Sequence, residues 1–382
     1  MKIALIGPSY PFKGGIAHYT TLLCRHLKTR HEVAFFTFQR QYPEFLYPGK
    51  GDKDVSASAL REDGAEQFLD SLNPFTWQQA WRRLQRLQPD LVILPWWVYF
   101  WTPHFYYLAQ RIKRKLNGRL LFVCHNVVAH ESNRLAKFCT SLVLQRGDLF
   151  LVHSKEDEAN LKRILPRAKI ARAFHPSYDV FQQNGITKAS ARQQLGLQGK
   201  TILFFGFVRP YKGLKYLLEA MPIILQEEKV NLLVVGEFWE GKEECLNQIK
   251  ALGIEKNVVV IDRYVPNEEV EVFFAASDLL VMPYVSATGS GLVQLAFGMG
   301  TPALVTSVGA LPEVVRDEQT GYIVPPQDST AIAARVIQYY RMNLEESFRE
   351  NVMKDRHRFS WGQLVEAIEN LYSRSDGLRR NA

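Results

Sequence analysis

Short apolar runs alternate with longer stretches of helical period along the whole chain. Residues 2–6 are apolar and lead into Pro8-Ser9-Tyr10-Pro11-Phe12-Lys13-Gly14-Gly15. From Ile16 to Leu27 the period is helical, with Ile16, Tyr19, Leu23 and Leu27 on one face. Strand, glycine turn and helix in that order predict a Rossmann-like first unit. Further buried strands are predicted at 33–38, 91–94, 120–124 and 149–153, the last followed by a helix through 165 that Ser154 caps. A polar segment at 179–200 holds a small helix at 189–195. Strand character returns at 201–205, 231–235, 258–261, 279–282 and 302–306, with helices from 214 and at 292–299, 331–340, 344–356 and 361–373. Apolar strands separated by helices specify parallel sheets covered on both faces. The expected class is α/β, with two Rossmann-like doubly wound domains at residues 1–178 and 200–360 joined by a linker at 179–199.

Composition supports this division and narrows the chemistry. A chain of 382 residues exceeds what one ordinary core holds. Hydrophobic content of 47% excludes a disordered chain. Cys24, Cys124, Cys139 and Cys245 are scattered, with no metal-ligand spacing, so free thiols in a reducing cytosol are expected and no zinc site or disulfide framework. The amino terminus reads as a strand and turn, not as a signal peptide. The net charge of +8 either attracts polyanions or serves solubility alone. Nucleic acid is disfavoured, because no zinc-finger, homeodomain or RNP motif accompanies the charge.

The chemistry concentrates in residues 279–328. The apolar run there ends at Pro283, and Ser286-Ala287-Thr288-Gly289-Ser290-Gly291 precedes a helix from Leu292. Glycines let a ligand approach the main chain, and a helix start offers unpaired N–H groups to an anion, most often a phosphate. A second βα unit follows, with its turn at Ser307-Val308-Gly309-Ala310 and its helix at Leu311-Pro312-Glu313-Val314-Val315. Gly289-x-Gly291, Gly300-x-Pro302, Gly309-x-x-x-Glu313, Gly321 and Pro326-x-Asp328 fall in order. This frame resembles the carboxyl-terminal signature of glycosyltransferase family 4, retaining enzymes of the GT-B fold. The resemblance implies two domains facing a cleft, the donor mostly on the second, and a final helix at about 361–382 returned to the first. The family usually carries two glutamates around the Gly-x-Gly turn. Thr288 and Ala296 stand in those places, and Ser290 and Gln294 are the polar residues nearby.

The same resemblance suggests individual roles. Gly206-Phe207-Val208-Arg209-Pro210-Tyr211-Lys212-Gly213 resembles the diphosphate-binding loop, with Arg209 and Lys212 neutralising the leaving nucleotide. Phe207 occupies the place where the arginine usually stands. Gly14 and Gly15 match the first loop, which meets the donor's diphosphate. Thr288, Gly289, Ser290, Gly291, Leu292 and Val293 would supply anion-binding amides. Gly236 lies in the next turn, and the backbone at Tyr264 and Val265 would read the base. His125 matches a histidine that contacts the transferred sugar, with His130 and Glu131 farther along the acceptor side. Arg209, Lys212 and His125 are thus the candidate catalytic residues. The implied reaction moves a hexose from a UDP- or GDP-sugar to an acceptor hydroxyl of a glycan or glycolipid. It would retain configuration and need neither metal nor cofactor. The alternatives are a non-catalytic nucleotide-sugar-binding relative and a nucleotide-sugar epimerase. A dinucleotide dehydrogenase is disfavoured, because the glycine spacing from Gly7 to Gly15 is wrong for one.

Two stretches leave their roles open. Residues 39–75 carry Pro43, Pro48, Gly49, Gly51 and Pro74 with little periodicity, and read as a long excursion suited to acceptor contact. Asp52-Lys53-Asp54 within it has the look of a metal-binding Asp-x-Asp, but no strand precedes it and a solvated charge run is expected. Residues 91–109 carry no formal charge and hold eight Trp, Tyr and Phe. Pro95 and Pro103 argue against one continuous membrane-spanning helix, so strand, aromatic loop and a helix at 104–116 are expected. Those aromatics, beside Arg111, Lys113, Arg114 and Lys115, suit core packing, a sugar-stacking acceptor pocket or contact with an anionic membrane. The expected location is cytoplasmic, with peripheral association at the inner membrane face.

Overall fold

The computed structural model describes residues 1–43, 49, 51–127, 134–182 and 185–380. They divide into two compact units: Met1–Val55 with Ala59–His175 and Trp361–Ala382, and Ser56–Ser58 with Pro176–Ser360.

The first unit runs β1 (Lys2–Ile6), α1 (Gly15–Lys28), β2 (Glu32–Arg40), β3 (Ala65–Asp70), α2 (Pro74–Leu87), β4 (Leu91–Trp96), α3 (Thr102–Lys115), β5 (Arg119–Cys124), α4 (Arg134–Leu144), β6 (Leu149–Val152), α5 (Lys155–Ile164) and β7 (Lys169–Arg172). Its sheet has the order β3-β2-β1-β4-β5-β6-β7, with parallel pairing throughout. Every residue of β4 is buried, as a strand covered on both faces requires. Asn73 and Ser154 cap α2 and α5, their side chains accepting the N–H of Phe75 at 3.1 Å and of Asp157 at 3.0 Å.

Several expectations change here. The excursion at 39–75 contains β3, an edge strand whose Ala-Glu-Gln-Phe-Leu-Asp sequence has no apolar alternation; its ladder with β2 forms it. At the other edge β7 (Lys-Ile-Ala-Arg) was equally silent. Pro48 lies outside the described residues. Asp52-Lys53-Asp54 is not a solvated run. Asp54 is buried with Oδ2 3.7 Å from His18 Nε2, and the Lys53 ammonium sits 3.8 Å from the centre of the Phe12 ring. The Lys13 N–H donates to Asp52 O at 2.9 Å and the Asp54 N–H to Pro11 O at 2.7 Å, so the run clamps the loop that leads to Gly14. The aromatic stretch is mainly core: Trp96, Trp101 and Phe105 are buried, while Trp97, Phe100, Tyr106 and Tyr107 pack against that core. The indole N–H groups of Trp97 and Trp101 both donate to Tyr42 Oη at 3.1 Å.

The second unit runs α6 (Lys188–Gln194), β8 (Lys200–Phe205), α7 (Leu214–Glu227), β9 (Val230–Val235), α8 (Lys242–Ala251), β10 (Val258–Ile261), α9 (Asn267–Ala276), β11 (Leu279–Met282), α10 (Gly291–Gly298), β12 (Ala303–Thr306), α11 (Leu311–Val314), β13 (Gly321–Val324), α12 (Ser329–Arg341) and α13 (Glu345–Asp355). The sheet order is β10-β9-β8-β11-β12-β13, again parallel. Successive strands are added in opposite directions on either side of the β8–β11 pair. The loops leaving the carboxyl ends of these two strands therefore diverge and open a crevice. Gly321 starts β13 against β12, where a Cβ would lie 1.8 Å from Ala303 O. The last helix, α14 (Trp361–Arg380), packs on α1 and β7 of the first unit and runs past the predicted end at 373. Arg30 Nη1 pairs with Glu369 of that helix at 3.0 Å.

The segment at 179–199 is tied down by one carboxylate. Asp278, 3% exposed, accepts the Thr201 N–H at 2.8 Å, Lys188 Nζ at 2.6 Å, Arg192 Nη2 at 2.8 Å and Tyr340 Oη at 3.1 Å. It joins α6 to the starts of β8 and β11 and to α12. Removing one partner of a buried charged network strands the others. Asp278→Ala is expected to cost about 3 kcal/mol of unfolding free energy, measured by denaturant unfolding; a loss below about 0.5 kcal/mol, as at an ordinary surface site, contradicts this role.

Candidate active site

Two loops at the β8–β11 crevice bring together the residues of interest in the second unit. β8 ends at Gly206, whose φ of +94° suits glycine, and the chain passes through Arg209 and a 3-10 turn, Pro210–Lys212, to Gly213. Gly213 has φ +70°, and a Cβ there would lie 1.9 Å from Pro283 O. No other residue fits where this loop meets the end of β11. Lys212 is folded inward and only 7% exposed. Its ammonium lies 3.2 Å from the point a Gly206 Cβ would occupy, 5.6 Å from the centre of the Tyr284 ring, and near Leu292.

Among the described residues no carboxylate reaches Lys212. Burial, with the Arg209 charge adding to it, pushes its pKa from 10.5 down to about 7. Arg209 has a buried Nε without an acceptor, and its guanidinium lies over Tyr211 and Trp239 at 5.3 and 5.6 Å. Glu240 approaches it only at 4.0 Å and is itself largely exposed, a weakly coupled pair. Two cations converge with hardly any negative charge to balance them.

The β11 loop supplies the complementary donors. Ser290 caps α10, accepting the Leu292 N–H at 3.3 Å, and no acidic residue lies in the first turn. A Cβ at Gly289 would meet nothing nearer than Ala310 at 3.8 Å, so the backbone there is accessible. Thr288 is buried and its carbonyl accepts the Ala310 N–H at 3.0 Å. Gly291, Leu292 and Val293 form the first turn of α10, Val293 being fully buried. Ala296 is buried one turn farther on, while Gln294 is buried with Oε1 lacking a hydrogen-bond partner. Tyr284, not singled out in the sequence, places a buried hydroxyl beside Ser290. Its one signal was its position just after a strand and proline.

Gly236 serves packing: its φ is +145°, and a Cβ would lie 2.2 Å from Gly206 O, so the turns after β8 and β9 touch backbone to backbone. Val265 is buried and Tyr264 half-buried, with its ring 6.3 Å from Phe207 in stacked orientation. Phe207 in turn lies 4.5 Å from Trp239. Three aromatic rings thus follow the carboxyl ends of β8, β9 and β10, an arrangement that three separate turns concealed.

In the first unit, Gly14 has φ +108° and precedes α1, and neither Gly14 nor Gly15 has an atom within 4 Å of where a Cβ would stand. His125 follows β5, its backbone N–H donating to Trp96 O at 2.8 Å. The residue is half-buried, its Nε2 is buried and lacks a hydrogen-bond partner, and its ring lies 4.5 Å from Tyr19, 5.3 Å from His153 and 6.1 Å from His175. His153 follows β6, and its Nδ1 lies 2.9 Å from Ala173 O, which fixes Nδ1–H as the donor. Burial, then the neighbouring histidines, holds His125 well below the ordinary histidine value; burial pushes His153 to about 4. His125 and His153 are therefore neutral, and His125 offers a hydrogen-bonding nitrogen and no charge. His153 was legible as the last residue of a predicted strand; His175 was not, because β7 before it was silent. His130 and Glu131 lie outside the described residues. Among the described residues no group of three His, Cys, Asp or Glu is placed to hold a metal ion, and no helix is long and apolar enough to cross a membrane.

Comparison with known proteins decides the family. Residues 13–173 match the family model described as Glycosyltransferase Family 4, and residues 199–342 match Glycosyl transferases group 1. The chain is 32% identical to the D-inositol 3-phosphate glycosyltransferase of Streptomyces avermitilis over 357 residues, covering 86% of this chain and 75% of that protein. The chain belongs to glycosyltransferase family 4. A 31% identical match to an uncharacterized glycosyltransferase of Methanocaldococcus jannaschii spans about half of each chain, 48%. Among solved structures, HepE of Anabaena in complex with UDP superimposes with a TM-score of 0.75 at 17% identity, covering 98% of this chain and all of that one; the same protein has been solved with UDP-glucose. The GT-B architecture is shared, and the enzyme is a glycosyltransferase.

An unpaired buried cation destabilises the protein that carries it, so Lys212 should show its cost directly. Its folded pKa of about 7 lies below the ordinary 10.5. Between those values the unfolded chain binds more protons, so its contribution makes stability rise with pH across that window. Lys212→Met is expected to raise the thermal midpoint at pH 7 by a few degrees, on the order of 1 kcal/mol, and to flatten stability between pH 7 and 10. An unchanged or lowered midpoint with unchanged pH slope would show the ammonium to be well compensated.

Proposed function

We propose that this glycosyltransferase takes a hexose from a nucleoside diphosphate sugar, a UDP- or GDP-sugar, and transfers it to an acceptor hydroxyl of a glycan or glycolipid. The observation that carries the reading is the buried Lys212 beside the Arg209 charge, with no carboxylate within ion-pair distance of Lys212 among the described residues, on a loop that meets the end of β11 ahead of the accessible Gly289 and the start of α10. A diphosphate supplies the missing negative charge. As the sugar–phosphate bond breaks, charge grows on the leaving oxygen, and donors already in place stabilise it most at that moment. The role of these cations supports departure of the leaving group without a metal. The UDP and UDP-glucose complexes of HepE support a nucleotide donor. Phe207, Trp239 and Tyr264 provide apolar surface for a base at the strand ends, and His125 offers a neutral nitrogen to a sugar hydroxyl. Retention of configuration is the proposed outcome, consistent with the family resemblance, and Thr288, Ser290 and Gln294 are the polar groups left to serve where glutamates usually do.

The test begins with the purified full chain, UDP, GDP and their common sugars, screened by thermal shift and then by nucleotide release with a mixed glycan acceptor pool. One nucleoside diphosphate is expected to raise the midpoint, and its sugar to turn over. Lys212→Ala should lower donor affinity by about tenfold to a hundredfold, the range for removing a charged partner of a buried anion. Donor binding with neither transfer nor slow hydrolysis would favour a non-catalytic relative. No response to any nucleotide would overturn the proposal.

A further inference from the structure

In the first unit α2, α3 and α4 form a continuous layer, with α3 touching α2 on one side and α4 on the other. Together they hold nine Lys and Arg and no Asp or Glu. Arg83 pairs with Glu66, and Lys113 with Asp148 at 3.5 Å. Arg82, Arg86, Arg114, Lys115, Arg134 and Lys137 have no carboxylate within ion-pair distance among the described residues. The asymmetry extends to the whole chain: residues 1–175 and 361–382 carry 29 cations against 17 carboxylates, and residues 176–360 carry 18 against 22. The net charge of +8 thus has a location.

α4 adds a second, independent feature. Its inward stripe is Ala136, Thr140, Val143 and Leu144, all buried. A further apolar stripe at i, i+3 and i+7 faces away from that core: Leu135 is 59% exposed, Phe138 63% exposed and Leu142 half-buried. A helix of a globular protein that is apolar on its outer side has an unmet partner. Arg134 and Lys137 flank the stripe and are exposed. Phe75, at the start of α2, is 86% exposed, and Tyr99 precedes α3 in a turn that touches α4. Phe75, Tyr99, Arg134 and Leu135 sit at or just before helix starts, which in a parallel α/β unit lie at the carboxyl edge of the sheet, whereas Leu142 lies in the last turn of α4.

We propose that the outer face of the α2–α3–α4 layer docks on an anionic lipid bilayer. Bulky apolar side chains would enter the interfacial region while the surrounding unpaired cations meet lipid phosphates, a combination suited to an interface with a polar headgroup zone over hydrocarbon. A nucleic acid would answer the charge and leave Leu135 and Phe138 unmet. An apolar protein partner would answer the stripe and leave the cations unpaired. Contact is made by helix exteriors; the buried aromatics at 91–109 take no part, except for Tyr99.

The test is co-sedimentation of the full chain with vesicles of phosphatidylcholine alone and with about one third phosphatidylglycerol, at low and at physiological salt. Binding is expected to the anionic vesicles, reduced but not abolished by salt. Arg134→Ala and Lys137→Ala should each weaken it about fivefold. The double variant Leu135→Ser and Phe138→Ser should weaken it at both salt concentrations. Lys250→Ala with Lys256→Ala, on the exposed surface of the second unit, should leave it unchanged. Melting temperature and nucleotide binding of each variant serve as controls for folding. No vesicle binding at low salt overturns the proposal. So does equal binding to a soluble polyanion such as heparin that ignores the Leu135 and Phe138 changes, or an equal loss in the Lys250 and Lys256 variant.

Discussion

An ammonium group buried with no counter-ion among the described residues is the constraint around which the second unit is built. Water would solvate Lys212 strongly, and burial forfeits that unless a ligand replaces it. The fold holds the lysine there through backbone geometry that only glycine permits: Gly213 closes against Pro283 O, and Gly206 leaves room for the ammonium beside Leu292. Those positions are set by the β8–β11 switch, which brings two divergent loops to one crevice. The sheet, its glycines and its unbalanced charge are one device. Burial of that charge costs stability.

The first unit follows a different electrostatic logic. Its His125 and His153, at strand ends, are neutral and packed against the ring of Tyr19, so that His125 presents hydrogen-bonding capacity and no charge. His104 is a further case, buried among Phe38, Trp101 and Phe105 and pushed to about 3 by burial. The unpaired cations of its α2–α3–α4 layer are exposed.

Much of this was legible in the sequence. Strands such as 91–94 and 120–124 are continuous apolar runs, and only a doubly covered sheet buries those. The Gly-x-Gly turn and the Lys212-Gly213 pair stood out because glycines after a strand mark a close backbone approach, while the burial of Lys212 was not legible. β3 and β7 were silent because edge strands draw on the ladder more than on side-chain pattern. α4 was silent because it is apolar on two sides and shows no clean stripe, which is the same property that makes its outer face informative. The burial of Trp96, Trp101 and Phe105 could not be separated from a pocket by composition, since a large ring satisfies both. The meeting of Phe207, Trp239 and Tyr264 depends on strand order, which local pattern does not encode.

The most direct measurement is proton exchange on nucleotide binding, by titration calorimetry at pH 8 in buffers of differing ionisation enthalpy, with whichever of UDP and GDP binds. Lys212, with a pKa of about 7 in the empty protein, is mostly uncharged at that pH. A diphosphate against it restores the charge, so about one proton per site should be taken up, as the shifted pKa requires, and that uptake should vanish in Lys212→Met. Nucleotide binding with no proton uptake in the unaltered protein would contradict the account.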